Sequence, residues 1–293
     1  VRALTDFVSG AVRRRGANVT QGMAKAYQLA VEIIKASLSG EEKDAKAAIS
    51  KSDILVVSGG YDQAEDVLDL LEIPFKLIQP HELKDLQLTP SQTLIVNCPG
   101  SVNIKAVSKI AGFVKDGGTL LTSDWAIKNV VERAFPGIVR CNNCATADEV
   151  VRIECKNPDH PILAGCLHSG SDLFWWIEGS SYPITVIDDD RVEVLLTSRE
   201  LEHKYGEAPV AVMFTFGKGR VFHSIAHYYM KCTQDKTSRH KSSWKNYVNE
   251  IGAKSLLPKD TSNYDDLTTG HLEAAYTSAR ILHNLIVGMR AMK

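Results

Sequence analysis

Two rhythms of apolar positions divide the chain. Over Gln21–Ser37, Met23, Tyr27, Ala30, Val31 and Ile34 recur at helical spacing; Ser39-Gly40 ends that helix, and Glu41–Ser50 reads as a second, shorter one. From Asp53 the pattern changes. Short continuous apolar runs at Ile54–Ser58, Phe75–Ile78, Thr93–Asn97 and Thr119–Ser123 end in Gly, Pro or polar residues, as buried strands do. Between them Gln63–Leu71, Ile104–Lys115 and Asp124–Ala134 read as helices. Strands and helices alternating at this spacing predict a parallel sheet joined by right-handed crossovers, an α/β fold.

Beyond about residue 138 the pattern shifts again. Val150–Glu154 reads as a strand. Ile184–Ile187 and Val192–Thr197 flank Asp188–Arg191 and predict a hairpin. Ala208–Phe216 and Arg220–Ala226 flank Gly217-Lys218-Gly219 and predict a second, with glycines where a tight turn needs them. Residues 231–265 are polar and without period, a loop by this reading. His271–Met289 is a long helix with Leu272, Ala275, Ala279, Leu282, Ile286 and Val287 on one side. No repeat or low-complexity linker interrupts the 293 residues, so one domain is expected: a helical extension over 1–50, a core over 53–230, and a polar loop with its helix over 231–293.

Composition narrows the class. Hydrophobic residues make up 44 %, enough for a large core, and the net charge is −1, so no global field favours nucleic acid or an anionic membrane. No apolar run approaches the roughly 20 residues of a membrane helix, and the first residues lack the apolar stretch and cleavage site of a signal peptide. The expectation is a cytoplasmic protein; the chain opens on Val1 rather than Met, which leaves open whether a segment precedes it. Six cysteines (Cys98, Cys141, Cys144, Cys155, Cys166, Cys232) are too sparse for a disulfide framework and read as free thiols. Asn18-Val19-Thr20 matches a glycosylation acceptor by chance in that setting, and Arg13-Arg14-Arg15 is too short to predict nucleic-acid binding.

Three segments carry a resemblance. Leu94–Asp124 runs strand, Cys98-Pro99-Gly100-Ser101, helix, then Phe113-Val114-Lys115-Asp116-Gly117-Gly118-Thr119-Leu120. Asn157–Ile162 contains Asp-His-Pro-Ile. Phe216–Phe222 contains Gly-Lys-Gly-Arg-Val and leads to His227. In order and spacing these resemble the class I glutamine-amidotransferase-like superfamily, and within it the ThuA-like (trehalose-utilisation-type) group, over roughly residues 53–230. The resemblance implies a flavodoxin-like sheet with helices on both faces and a ligand crevice beyond the C-terminal strand ends. Those ends carry Gly59-Gly60, Cys98–Ser101, Ser123-Asp124-Trp125 and His227.

Active amidotransferases present a cysteine on the elbow after the strand that ends here at Ser123. This chain has no cysteine there, so glutaminase chemistry is not expected. Either Ser123 or Asp124 holds the elbow, as nucleophile or orienter, or the two merely cap the next helix. By the same resemblance Gly100 and Ser101 offer oxyanion N–H groups, since Pro99 has none; Cys98 is a reactive thiol or an inert buried one. His227 is the candidate general base or ligand-binding imidazole, or else a histidine hydrogen-bonded in the wall of the sheet. On a regular strand His223 lies about 13 Å from it, too far to share a metal.

Asp172, Phe174, Trp175, Trp176 and Glu178 form an acidic-aromatic cluster suited either to sugar stacking or to packing the sheet. Cys141-x-x-Cys144 lacks a tightly spaced second pair for zinc. The basic stretch Lys231–Lys245 reads as a phosphate-binding overhang or a solvated loop. The predicted site is therefore His227, Ser123 and Asp124 for catalysis, with Gly59, Gly60, Cys98, Gly100, Ser101, Trp125, Trp175 and Trp176 for binding, and no cofactor and no metal. Three functions compete: a hydrolase for a small polar or carbohydrate-like molecule, a non-catalytic binding or regulatory domain, and an interaction module, including a homo-oligomer, built on the terminal helices.

Overall fold

The eight-stranded sheet at the centre of the molecule has two halves of different character. In this computed structural model, which describes residues 20–168 and 171–291, helices α1 (Gln21–Ser37) and α2 (Gly40–Ala47) come first. The alternating stretch then follows as β1 (Ile54–Val57), α3 (Ala64–Leu70), β2 (Lys76–Ile78), β3 (Thr93–Val96), α4 (Ile104–Asp116) and β4 (Thr119–Ser123). A π-helical turn (Ile127–Val131) and the short α5 (Glu132–Ala134) lead to β5 (Val139–Cys141), β6 (Glu149–Arg152), β7 (Glu154–Cys155), β8 (Phe174–Ile177), β9 (Ile184–Val186) and β10 (Val192–Thr197). Then come α6 (Arg199–Tyr205), β11 (Pro209–Phe216), β12 (Gly219–Ser224), α7 (Ser238–Lys241), α8 (Trp244–Glu250), α9 (Thr269–His283), a second π-helical turn (Asn284–Gly288) and α10 (Met289–Ala291). Arg13–Arg15 and Asn18 lie outside the described residues.

The spatial order is β2-β1-β3-β4-β12-β11-β10-β7. The first five strands are mutually parallel, which is the doubly wound 2-1-3-4-5 order of flavodoxin-like folds. The last three are antiparallel additions. Alternate residues of the parallel strands feed two cores. Ile54, Val56, Ile95 and Leu121 face one with α1, α3 and α9; Leu55, Val57, Leu94, Val96 and Leu120 face the other with α4 and the first π-helical turn. A sheet covered on both faces explains why these strands read as continuous apolar runs rather than alternating ones.

The glycine hairpin has a packing reason. A Cβ on Gly217 would lie 2.4 Å from the Lys115 carbonyl oxygen, and one on Gly219 2.2 Å from that of Val114. The β11–β12 turn therefore rests on the α4–β4 turn, and two motifs distant in sequence occur together because their backbones touch.

Three sequence expectations are corrected. Ile184–Ile187 and Val192–Thr197 do not pair with each other: β9 pairs with β5, whereas β10 joins the main sheet beside β11 and β7. The turn after Asp188 forms, but the two strands leave it for different sheets. Residues 231–265 are not simply a loop. They contain α7 and α8, anchored by the fully buried Trp244 and Tyr247, whose apolar signal is diluted among polar neighbours. Helix α9 is buried nearly all round rather than along one stripe, because α1 and α8 cover it from different sides. The apolar faces of α1 and α9 are thus spent on each other and on the sheet. Among the described residues no helix is long and apolar enough to cross a membrane.

Candidate functional site

The crevice lies where the chain reverses its direction of winding, at the C-terminal ends of β1, β3, β4 and β12. At the end of β4 the backbone turns sharply, and Asp124 takes a left-handed conformation with φ +46°. Asp124 holds the elbow and Ser123 precedes it. Aspartate tolerates this region better than most residues, but it is still sparsely populated. Neither side chain caps the following helical turn, which has no side-chain cap. Ser123 Oγ instead accepts the Cys98 backbone N–H at 3.2 Å, and the Asp124 carboxylate turns inward.

There Asp124 Oδ2 accepts from Cys98 Sγ at 3.3 Å and lies 3.2 Å from His227 Nε2. On the far side of the imidazole, Nδ1 lies 3.4 Å from Glu178 Oε2, an ion-pair separation without hydrogen-bond alignment. Glu178 Oε1 in turn takes Lys231 Nζ at 3.1 Å. Asp124 and His227 are only 2 % and 3 % exposed, yet Asp124 Oδ1 has no hydrogen-bond partner. A buried carboxylate oxygen left unpaired is costly in a fold with no use for it.

Burial opposes a charge on His227, but Asp62, Asp124 and Glu178 outweigh it and the imidazole pKa is raised. That direction makes the imidazole easier to protonate than a free histidine side chain. Burial, and then Asp124, push the Cys98 thiol well up, so Cys98 is not a nucleophile in this state. His223 is separate. It sits on β12 with Nδ1 2.9 Å from Thr122 Oγ1, and burial pushes its pKa down to about 3, so it is neutral. The strand ends at Ser224, so the regular spacing assumed between the two histidines does not apply.

The His227 loop is held both from within the resembling core and from outside it. Asp62 accepts the N–H groups of Tyr228 and Tyr229 at 3.0 and 3.1 Å. Tyr27 of α1 and Ser278 of α9 both donate to the Tyr228 carbonyl, and Tyr27 Oη also accepts the Met230 N–H. The terminal helices thus fix the site as well as fill the core.

A cavity of about 400 Å³ opens over this group, lined by Tyr61, Cys98, Pro99, Ser101, Asp124, Trp125, Asn129, Glu178, Gly179 and Ser180. Of the residues expected to bind, Cys98, Ser101 and Trp125 line it. Gly59 and Gly60 support it from behind: Gly59 packs against the Cys98 carbonyl and Gly60 donates to it at 3.1 Å. Trp176 stands edge-on to His227 at 5.9 Å with its Nε1 on Asp148. Trp175 points away, its Nε1 donating to Thr277 of α9, because adjacent residues of a strand face opposite sides.

Of the two N–H groups expected to serve an oxyanion, that of Gly100 is committed, donating to the Asn97 carbonyl at 2.8 Å, while Ser101 lines the cavity. The basic stretch is mostly neutralised: Arg239 pairs with Glu250 and Glu273, and Lys245 with Asp265. Cys141 is buried and Cys144 exposed, both free. Sequence reasoning passed over Asp62, Tyr61 and Asn129. The first two follow directly on Gly59-Gly60, so strand-end position was a signal that could have found them.

No family model matches the sequence, and no curated protein matches it. Among solved structures, a ThuA-like protein from Bacteroides uniformis aligns with 74 % of this chain and 95 % of its own, at 14 % identity and TM-score 0.44. The cytoplasmic protein STM1381 of Salmonella typhimurium aligns with 69 % of this chain and 97 % of its own, at 15 % identity and TM-score 0.43. The β-galactosidase of Bacillus circulans sp. alkalophilus aligns with 60 % of this chain at 14 % identity and TM-score 0.44, and the match spans only 29 % of that enzyme. At such identities and TM-scores these likenesses say nothing about activity.

Proposed function

We propose that the crevice binds a small polar molecule, of carbohydrate-like size and polarity, and performs hydrolase-type chemistry on it. Asp124 is the group that meets the ligand, as nucleophile or proton acceptor through its unpaired Oδ1, and His227, braced by Glu178, is its proton partner. The observation that carries this reading is the elbow itself. A buried aspartate in a left-handed turn, bonded to a buried histidine at the floor of a cavity, keeps both backbone and electrostatic cost where a merely structural turn would shed them. The ThuA-like resemblance supports the scaffold, and the missing elbow cysteine argues against glutamine as substrate. The committed Gly100 N–H leaves a backbone oxyanion hole without one of its two expected donors.

A thermal-shift screen of small polar and saccharide-like compounds tests this reading. A ligand that raises the melting temperature of the unaltered protein but not of Asp124→Asn or His227→Ala supports it. A ligand that stabilises all three equally, or hydrolysis that persists in Asp124→Asn, rejects it.

A further inference from the structure

We propose that Cys98, Asp124 and His227 form a site for one divalent thiophilic cation, best matched by Zn²⁺, whose remaining position faces the cavity; that last feature rests on reading the crevice as the ligand site. Among the described residues this is the single group of three Cys, His or acidic side chains able to share an ion, with Sγ, Oδ2 and Nε2 all within 4.8 Å of one another. The spacings match coordination. Sγ and Nε2 lie 3.3 and 3.2 Å from Asp124 Oδ2. A tetrahedral zinc with bonds of about 2.3 Å to sulfur and about 2.0 Å to nitrogen and oxygen would hold these pairs about 3.5 and 3.3 Å apart. Movements of a few tenths of an ångström would suffice.

Independent features of the surroundings point the same way. Asp124, 2 % exposed, has an oxygen with no partner. Glu178 flanks the far nitrogen of His227 at 3.4 Å, as carboxylates flank the far nitrogen of metal-bound histidines, and Lys231 holds that carboxylate in place. Three protein ligands beside an open cavity fit the pattern of catalytic zinc sites, whereas structural sites close all four positions. Without metal, the Cys98 S–H hydrogen-bonds to Asp124 Oδ2. A bound cation would replace that hydrogen bond, because a coordinating thiol gives up its proton to solvent. The cation would also supply what the committed Gly100 N–H does not, positive charge facing a ligand oxygen.

Titration of the chelator-stripped full chain with Co²⁺, followed by Zn²⁺ competition, tests the proposal. The expected result is uptake of one equivalent of Co²⁺ with a thiolate-to-cobalt charge-transfer band and the intense visible bands of four-coordinate cobalt, both erased by Zn²⁺. Cys98→Ser should lose the charge-transfer band. Glu178→Gln, which removes no ligand, should keep the stoichiometry and bind about 10–100-fold more weakly. Cys144→Ser should behave as the unaltered protein. Thermal melts establish that each variant folds. Absence of stoichiometric uptake at micromolar metal, or a band that survives Cys98→Ser and vanishes in Cys144→Ser, overturns the proposal. If metal does not bind but a polar ligand still stabilises the protein through Asp124, the metal site fails alone. If metal binds through Cys98 and no ligand is found, the small-molecule reading fails alone.

Discussion

Two buried acid–base clusters in this molecule are built from similar residues and differ in how completely they are satisfied. In the first, Arg239 of α7 forks onto Glu273 of α9 at 2.8 and 3.0 Å and also reaches Glu250 at the end of α8. His240 beside it donates or accepts at both nitrogens, 2.8 Å from the Asp172 carbonyl and 3.0 Å from Thr237. Glu273 is 2 % exposed, yet neither of its oxygens nor any guanidinium nitrogen lacks a partner. In the second, Asp124, His227 and Glu178 are packed as tightly, but Asp124 Oδ1 and His227 Nδ1 make no hydrogen bond and the group borders a cavity. The first cluster ties three helices together. The second carries unmet bonding capacity, which a ligand or ion can use. Perturbed groups occur in both, so burial and charge alone do not separate a site from a strut; completeness of pairing does.

The largest expected effect tests the strut. Arg239→Ala would leave Glu273 buried without its guanidinium partner, and urea unfolding should show a loss of about 3–5 kcal/mol, with ligand and metal binding retained below the transition. A loss confined to binding would undo the distinction.

The next effect concerns Glu65, which lies behind the crevice and accepts from the Asn97 amide at 2.6 Å. Burial raises its pKa from 4.5 to about 7. The folded protein therefore keeps a proton that the unfolded chain has already released, and the Glu65 contribution to stability is full below pH 4.5 and lost as pH rises toward 7. Its size is about 3 kcal/mol. Urea titrations at pH 5 and pH 8 should show that difference in the unaltered protein and lose it in Glu65→Gln. Equal pH slopes for the two proteins would sink the assignment.

A smaller effect is expected at Gly59. Its missing Cβ would sit 2.2 Å from the Cys98 carbonyl oxygen and 2.7 Å from Asn97 Cβ. Gly59→Ala should cost about 1–3 kcal/mol and, by displacing the Cys98 turn, weaken binding in the crevice as well. The smallest stability change is expected at Asp124→Asn, which keeps shape and tolerance of the left-handed turn: no more than about 1 kcal/mol, together with complete loss of ligand response. Thermal melts with and without ligand compare the two. If Asp124→Asn destabilises as much as Arg239→Ala, the elbow is a strut after all.

Much of the architecture was legible in advance because it depends on local pattern. The four parallel strands from residue 54 to 123 appear within a residue of their expected bounds, since a buried strand needs only a short apolar run and a stop. The glycine hairpin was readable for the same reason. The β9–β10 pairing was misread because a turn predicts a reversal, not a partner. Helix α8 was missed because Trp244 and Tyr247 do their work as isolated anchors in a polar stretch.

The site divides along the same line. That Asp124, Cys98 and His227 lie near one crevice follows from their positions at strand ends, which sequence can locate. The choice of Asp124 over Ser123 depended on one backbone dihedral angle. The turning of Trp175 away from the pocket depended on strand phase, and the capture of the Gly100 N–H on the conformation of its turn. Glu178 and Asp62 reach the His227 loop from segments far away in the chain, and Tyr27 and Ser278 do so from the terminal helices. From local period and punctuation alone, the sequence determined the kind of sheet and which strand ends carry chemistry. Only the tertiary structure decided which of those groups face one another and which remain unpaired, because hydrogen bonding and coordination act over about 3 Å between residues as far as 203 positions apart.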